Sequence, residues 1–206
     1  TDYTPEASPD DEGYWDDFEN VVLNGDYEEL GSEIINNGTY DADTNWTKET
    51  GWSIANGVAS SVDSGNGEDL IQSVNGEITS GKTYKVEYTI SNRVTGGVKT
   101  FLSGGGAVQG ATNTTNGTHI DFLTASADNS TFKFTSADGG FTGDIDNVSL
   151  KQVDPNNRWV SEADWTIENG VAKGNGASGS SEELRQDGIL TVGDTYEFTF
   201  TIKDYS

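Results

Sequence analysis

Apolar and polar residues alternate along several short stretches of this chain, which is the pattern of half-buried β-strands. In TYKVEYTI (83–90) every second residue is apolar, so these side chains would share one face of a strand. Similar stretches follow at 97–104, 118–125, 130–136 and 144–153. Segments rich in Gly, Asn, Asp and Ser separate them as turns, and no stretch keeps a helical period. The pattern therefore predicts an all-β protein, an antiparallel β-sandwich of the jelly-roll type.

The apolar pattern occurs twice along the chain. GWSIANGVAS (51–60) returns as DWTIENGVAK (164–173), and ITSGKTYKVEYTI (78–90) returns as LTVGDTYEFTFTI (190–202). A repeat distance of this length indicates duplication of a whole domain rather than a short solenoid repeat. Residues that both copies preserve are better explained by a shared core than by a shared ligand. This interpretation assigns six aromatic residues to the core: Trp46, Trp52, Tyr84, Trp159, Trp165 and Tyr196.

The repeat predicts the division of the chain into domains. Residues 1–32 would be an acidic linker or arm, residues 33–153 one complete jelly roll, and residues 154–206 the first half of a second one. The second copy lacks everything equivalent to residues 93–150, and half a sandwich would leave an open sheet edge and an uncovered apolar face. Either a longer parent chain continues the second copy, or strands from another polypeptide complete it.

Composition narrows the classes of function. A formal net charge of −24 on 206 residues repels nucleic acid and anionic membranes, which removes both as partners. The chain has no Cys, hence no disulfides, and a single His, His119, with no serine nucleophile in a recognisable motif beside it. The Asp and Glu residues form no recognisable catalytic pair. We therefore expect a protein that is not an enzyme.

Three phrases, in order, resemble a known family. They are NNGTYDADTNWTKETGWSIANGVASS (36–61), GKTYKVEYTIS (81–91) and GDIDNVSLK (143–151). They are similar to jelly-roll carbohydrate-binding modules of the family 4, 9 and 22 type, especially those of bacteriophage tail-fibre and other virion proteins. The resemblance implies a jelly-roll fold and a place on the virion. As partners it implies identical copies or other virion proteins, together with host-surface polysaccharide.

The resemblance also implies a structural calcium ion. In these families an acidic residue of the opening phrase and the aspartate of the closing strand often share calcium. By position these would be Asp41 and Asp146. Calcium takes six to eight oxygen ligands, so a cluster of carboxylates beside a strand suits it. The alternative is that the Asp and Asn side chains only cap turns, and the sequence leaves both interpretations open.

The resulting hypothesis is a virion-associated fibre or appendage protein whose modules contact host-surface glycans. Candidate glycan-binding residues lie where the chain is least patterned: Asn92, Arg93, Gln109 and His119. One alternative is a purely structural spacer or decoration protein without a ligand. Another is a targeting module of a polysaccharide-degrading enzyme, which would be secreted or displayed at the cell surface.

Overall fold

The computed structural model describes residues 20–176 and 181–203, and these residues form twelve β-strands. Those of the first copy are β1 (Thr47–Lys48), β2 (Trp52–Ala55), β3 (Val58–Ser61), β4 (Asp69–Ile78), β5 (Thr83–Ser103), β6 (Val108–Gln109), β7 (Gly117–Thr124) and β8 (Asn129–Gln152). Those of the second are β9 (Val160–Ser161), β10 (Trp165–Glu168), β11 (Val171–Gly174) and β12 (Leu184–Arg185). Neighbouring strands pair antiparallel, so the predicted all-β antiparallel sandwich is confirmed.

Two long strands, β5 and β8, run through both layers of the sandwich and pair with each other along most of their length. The first half of β5 and the second half of β8 belong to sheet A, in the order β7-β5-β8-β3-β2. The second half of β5 and the first half of β8 belong to sheet B, in the order β6-β5-β8-β4-β1. No described residues form a helix that could cross a membrane.

The strands bend from one sheet into the other where the register shifts, between Ser91 and Gly97 of β5. Gly96 has a φ of 65° there, and a Cβ built on it would lie 1.7 Å from the carbonyl oxygen of Gly140 on β8. Only glycine allows two backbones to approach so closely. The glycines that punctuate the sequence at this point therefore mark a bend within paired strands.

The core lies between the inner faces of sheets A and B. Its largest fully buried side chains include Tyr84 and Tyr88 of β5, Phe132 and Phe134 of β8, and Leu70 of β4. The predicted core residues of the first copy, Trp46, Trp52 and Tyr84, lie within it. In the second copy Trp159 and Trp165 are half-buried, and Tyr196 is 37% exposed.

The second copy repeats the early part of the first and leaves its last apolar stretch uncovered. Hairpin β10-β11 repeats β2-β3, and the pair β9-β12 repeats β1-β4. Phe198 and Phe200 are 72% and 67% exposed, whereas the equivalent Val86 and Tyr88 are fully buried. The reason is that β7 and β8 flank this stretch in the first copy, and among the described residues no strand pairs with 190–203.

The chain enters and leaves the first copy at one place. The backbone nitrogen of Gly31 donates to the carbonyl oxygen of Gln152 at 2.8 Å, and that of Asp154 donates to the carbonyl oxygen of Glu29 at 2.9 Å. The segments before and after the first copy therefore run side by side. Residues 1–19 of the predicted arm lie outside the described residues.

Candidate functional site

A row of side chains crosses the outer face of sheet B and is centred on Phe101. Thr100 and Leu102 on either side of Phe101 are buried, so the phenyl ring points outward and is only half-buried. The register pairs Phe101 with Gln109 of β6 on one side and Lys133 of β8 on the other, and Lys133 with Ile71 of β4. Paired residues share a face, so these four form the Phe101 row: Gln109, Phe101, Lys133 and Ile71.

The ammonium group of Lys133 is held in place from two directions. Its Nζ lies 5.1 Å from the centroid of the Phe101 ring and 2.5 Å from Oδ2 of Asp69. The other carboxylate oxygen of Asp69 accepts a 2.6 Å hydrogen bond from Oγ1 of Thr135. Since Asp69 is only 8% exposed, its carboxylate is a fixed anchor, and the lysine head group stays over the ring by ion pairing and cation–π attraction.

The rows on either side of the Phe101 row are polar. Lys99, Thr135 and Asp69 are cross-strand partners in one of them. Ser103, Thr131 and Ser73 are partners in the other. The face therefore combines an aromatic ring with amide, hydroxyl, ammonium and carboxylate groups at positions set by the backbone ladders. A polar molecule that also has an apolar face can use all of these groups together.

Of the four candidate residues from the sequence, Gln109 belongs to the Phe101 row. His119 lies on β7 at the edge of sheet A, opposite Tyr88, with the two ring centroids 5.6 Å apart. Its Nε2 is 2.8 Å from the carbonyl oxygen of Thr115, which ties it to the loop before β7. His119 is therefore not on the face that carries Gln109.

Asn92 and Arg93 lie at the bend of β5. Nδ2 of Asn92 donates to Oδ2 of Asp144 at 2.7 Å, and Nε of Arg93 donates to the carbonyl oxygen of Gly96 at 2.6 Å. These contacts stabilise the bend between the two sheets. The four candidates are thus distributed over three places, because a polar residue outside the strand pattern often serves the local turn.

Phe101 and Lys133 were not among the sequence-based candidates, although one signal could have found Phe101. In GVKTFLSG (97–104), the alternation that buries Val98, Thr100 and Leu102 leaves Lys99 and Phe101 on the solvent side. An aromatic ring at a solvent-side position of a strand offers apolar surface that a ligand can contact. The approach of Lys133 could not be read in this way, because it depends on the pairing of β5 with β8.

The two predicted calcium ligands each have a local partner. Oγ1 of Thr39 donates to Oδ2 of Asp41 at 2.9 Å, and the backbone nitrogen of Asn147 donates to Oδ1 of Asp146 at 2.6 Å. No group of three or more His, Cys, Asp and Glu side chains that could hold a metal ion occurs in the part of the chain that the structure describes. These bonds are of the kind that cap turns, and calcium stays a prediction from the resemblance alone.

The chain matches no family model and no curated protein. It is similar to solved carbohydrate-binding modules, among them a variant of a family 29 module, with 14% identity, 60% of this chain and 93% of that chain covered, and a TM-score of 0.42. The mannan-binding module from Man5C in its bound conformation shows 22% identity, 53% and 91% coverage, and a TM-score of 0.37. The N-terminal cellulose-binding domain of Cellulomonas fimi beta-1,4-glucanase C shows 19% identity, with 58% of this chain and 96% of that chain covered and a TM-score of 0.41.

Proposed function

We propose that this chain is a non-catalytic glycan-binding protein that holds a polysaccharide on the outer face of sheet B. The observation that carries the proposal is the solvent-facing ring of Phe101, placed between Gln109 and Lys133 by strand pairing. A sugar ring has an apolar face of C–H groups that can stack on such a ring. Its hydroxyl groups can then bond to the neighbouring amide, ammonium and carboxylate groups.

The dimensions of the face suit a polymer. The Phe101 row spans four adjacent strands, from Gln109 on β6 to Ile71 on β4. With strands about 4.8 Å apart, this row is roughly 14 Å long. That length accommodates an oligosaccharide segment better than a single sugar. Because the ladders hold the backbone rigid, little conformational entropy is lost on binding.

The charge distribution favours a neutral glycan. The whole chain carries a formal charge of −24, which repels acidic polymers at a distance. The positive charge of Lys133 is already balanced by Asp69 at 2.5 Å. Lys133 can therefore donate hydrogen bonds to hydroxyl groups without demanding an anionic partner.

The test is a comparison of two aromatic substitutions. Phe122 of β7 is half-buried on the outer face of sheet A, where it pairs with Lys85, and it serves as the matched control. The unsubstituted chain is first screened against soluble neutral and acidic polysaccharides by affinity electrophoresis. For a polysaccharide that binds, we expect Phe101→Ala to weaken the affinity at least tenfold as measured by calorimetry, which corresponds to about 1.4 kcal/mol of binding free energy. Phe122→Ala should leave the affinity within about twofold of the unsubstituted chain.

Two results would overturn the proposal. The first is no binding to any neutral polysaccharide, which is the outcome expected of a purely structural spacer. The second is an equal effect of Phe101→Ala and Phe122→Ala, which would move the ligand away from sheet B. Urea unfolding of each variant shows whether the fold is preserved.

The setting that we propose for this binding is a virion appendage, in contact with identical copies or other virion proteins and with host-surface polysaccharide. It rests on the resemblance of the three phrases described above. A targeting module of a secreted polysaccharide-degrading enzyme would use the same face. The genes that flank the parent gene distinguish the two settings, since tail or capsid genes are expected for the first and a catalytic domain in the parent chain for the second.

A further inference from the structure

A short phrase occurs twice, once before the first copy and once at its start. It reads NGDY at 24–27 and NGTY at 37–40. The Asn and Tyr of both phrases have left-handed backbones, with φ of 52° and 58° at 24 and 27, and of 56° and 52° at 37 and 40. This conformation is uncommon for residues other than glycine, and for tyrosine it is rare. The two segments therefore share a specific local structure as well as a sequence.

In the first copy, this phrase packs against a tryptophan and accepts a hydrogen bond from it. Nε1 of Trp46 donates to the carbonyl oxygen of Asn37 at 3.1 Å. The ring of Tyr40 packs on the same indole, with centroids 5.3 Å apart and planes inclined by 45°. The phrase lies only nine residues before Trp46 in the sequence.

In the second copy, the equivalent tryptophan has the equivalent partners, and these come from the start of the chain. Nε1 of Trp159 donates to the carbonyl oxygen of Asn24 at 2.9 Å, and the ring of Tyr27 lies 5.1 Å away at 39°. Here the phrase precedes the tryptophan by 135 residues. Residues 24–27 thus make the same contacts with the second copy that residues 37–40 make with the first.

The rest of the second copy follows the same construction. Nε1 of Trp52 donates to the carbonyl oxygen of Glu68 at 3.3 Å, and Nε1 of Trp165 donates to that of Glu182 at 3.1 Å. The first bond joins β2 to the residue just before β4, and the second joins β10 to the segment just before β12. The correspondence therefore extends through the whole of the described second copy up to β12.

We propose that residues 20–32 are the opening segment of the second unit, and that the first jelly roll, residues 33–153, is inserted between this segment and residues 154–203. Further contacts join the two parts of the second unit. Nδ2 of Asn24 donates to Oδ1 of Asp154 at 3.1 Å, and the backbone nitrogen of Leu23 donates to Oε1 of Gln186 at 3.1 Å.

The geometry of the first copy permits such an insertion. A domain can be inserted into another when its own two ends lie close together. Here Gly31 and Gln152 are joined by a backbone hydrogen bond, and Leu30 and Val153 form an antiparallel bridge. A linker or an arm lying on the surface would have no reason to repeat the left-handed backbone and the indole hydrogen bond of the first copy.

Hydrogen exchange measured by mass spectrometry on the full chain tests this proposal, with one variant for each phrase. We expect Tyr27→Ala to speed exchange at least tenfold in residues 155–185 and to leave residues 33–153 at the parental rate. Tyr40→Ala should speed exchange in residues 33–153 and leave residues 155–185 at the rate of the unsubstituted chain. Tyr27→Phe keeps the ring against Trp159, so its exchange rates should match those of the unsubstituted chain.

Unchanged exchange at 155–185 in Tyr27→Ala would overturn the inserted arrangement, and so would an equal acceleration in both copies. If Tyr40→Ala does not fold, the comparison of Tyr27→Ala with Tyr27→Phe decides alone. Glycan binding at Phe101 plays no part in this measurement, so the two proposals stand or fall separately.

Discussion

At the scale of single residues, Tyr40 shows where burial and hydrogen bonding conflict. Its side chain is 1% exposed, and among the described residues its hydroxyl oxygen has no hydrogen-bond partner. Burial, and then the negative charge of Asp146, raise the pKa of Tyr40 well above its ordinary value of 10. A buried hydroxyl without a partner costs about 1–3 kcal/mol, so the ring is kept for its packing on Trp46.

We therefore expect Tyr40→Phe to raise the free energy of unfolding by about 1 kcal/mol at pH 7. The pKa of Tyr40 is higher in the folded chain than in the unfolded one. The folded state thus holds a proton that the unfolded state loses near pH 10, and stability is complete below pH 10 and falls as the pH rises further.

The variant should lose less stability than the parent between pH 10 and 11, as measured by urea unfolding. Part of the decline should remain, because burial also raises the pKa of Tyr88. A lower stability of Tyr40→Phe at pH 7 would contradict this prediction, since it would mean that the hydroxyl has a partner.

At the scale of elements, the sequence predicted the strands but not their continuity. The stretches at 83–90 and 97–104 read as two strands with a turn between them, yet the structure joins them into β5 (Thr83–Ser103). Gly96 and Gly97 look like turn residues in the sequence. In the structure, Gly96 lies close to the backbone of Gly140 on β8, and Gly97 lies close to the backbone of Asn113. Both approaches depend on a partner elsewhere in the chain. Phe101 could be placed on the solvent side from the local alternation alone. Its neighbours Gln109 and Lys133 could not be predicted, because they are brought to Phe101 by strand pairing.

The bend can be tested with two glycines that differ in one respect. Gly96 and Gly139 both have positive φ, at 65° and 87°, but a Cβ on Gly139 has nothing within 4 Å, whereas one on Gly96 meets the carbonyl oxygen of Gly140. Gly139→Ala should cost about 1–2 kcal/mol for the backbone strain. Gly96→Ala should cost more than about 4 kcal/mol, because a backbone must also move. Equal losses in denaturant unfolding would show that the crossing of the strands tolerates a side chain.

At the scale of the whole molecule, the duplication was readable from the sequence, but the order of its parts was not. The repeated phrases at 51–60 and 164–173 are long enough to be recognised. The phrase at 24–27 has four residues, and its link to Trp159 exists only in three dimensions. Short opening segments of this kind are easily interpreted as linkers, since their contacts lie far along the chain.

Stretching the chain between residues 20 and 203 tests the inserted arrangement mechanically. The contacts of Leu23 with Gln186, and of Asn24 and Tyr27 with Trp159, would carry the force first, because the two ends of the first copy are already joined beside Gln152. Optical-tweezers records should show a small extension first and then a larger one of roughly 400 Å, as the inserted jelly roll unfolds. Tyr27→Ala should lower the force of the first event only. A random order of the two events would contradict the prediction.

The adjacent entrance and exit of the first copy have a consequence for how the chain bears mechanical load. Tension between the two ends of the chain bypasses the domain that carries Phe101 for as long as the surrounding unit is closed. In the proposed arrangement, the surrounding unit yields first under a sudden pull and lengthens the chain, while the inserted domain with its proposed glycan-binding face keeps its shape.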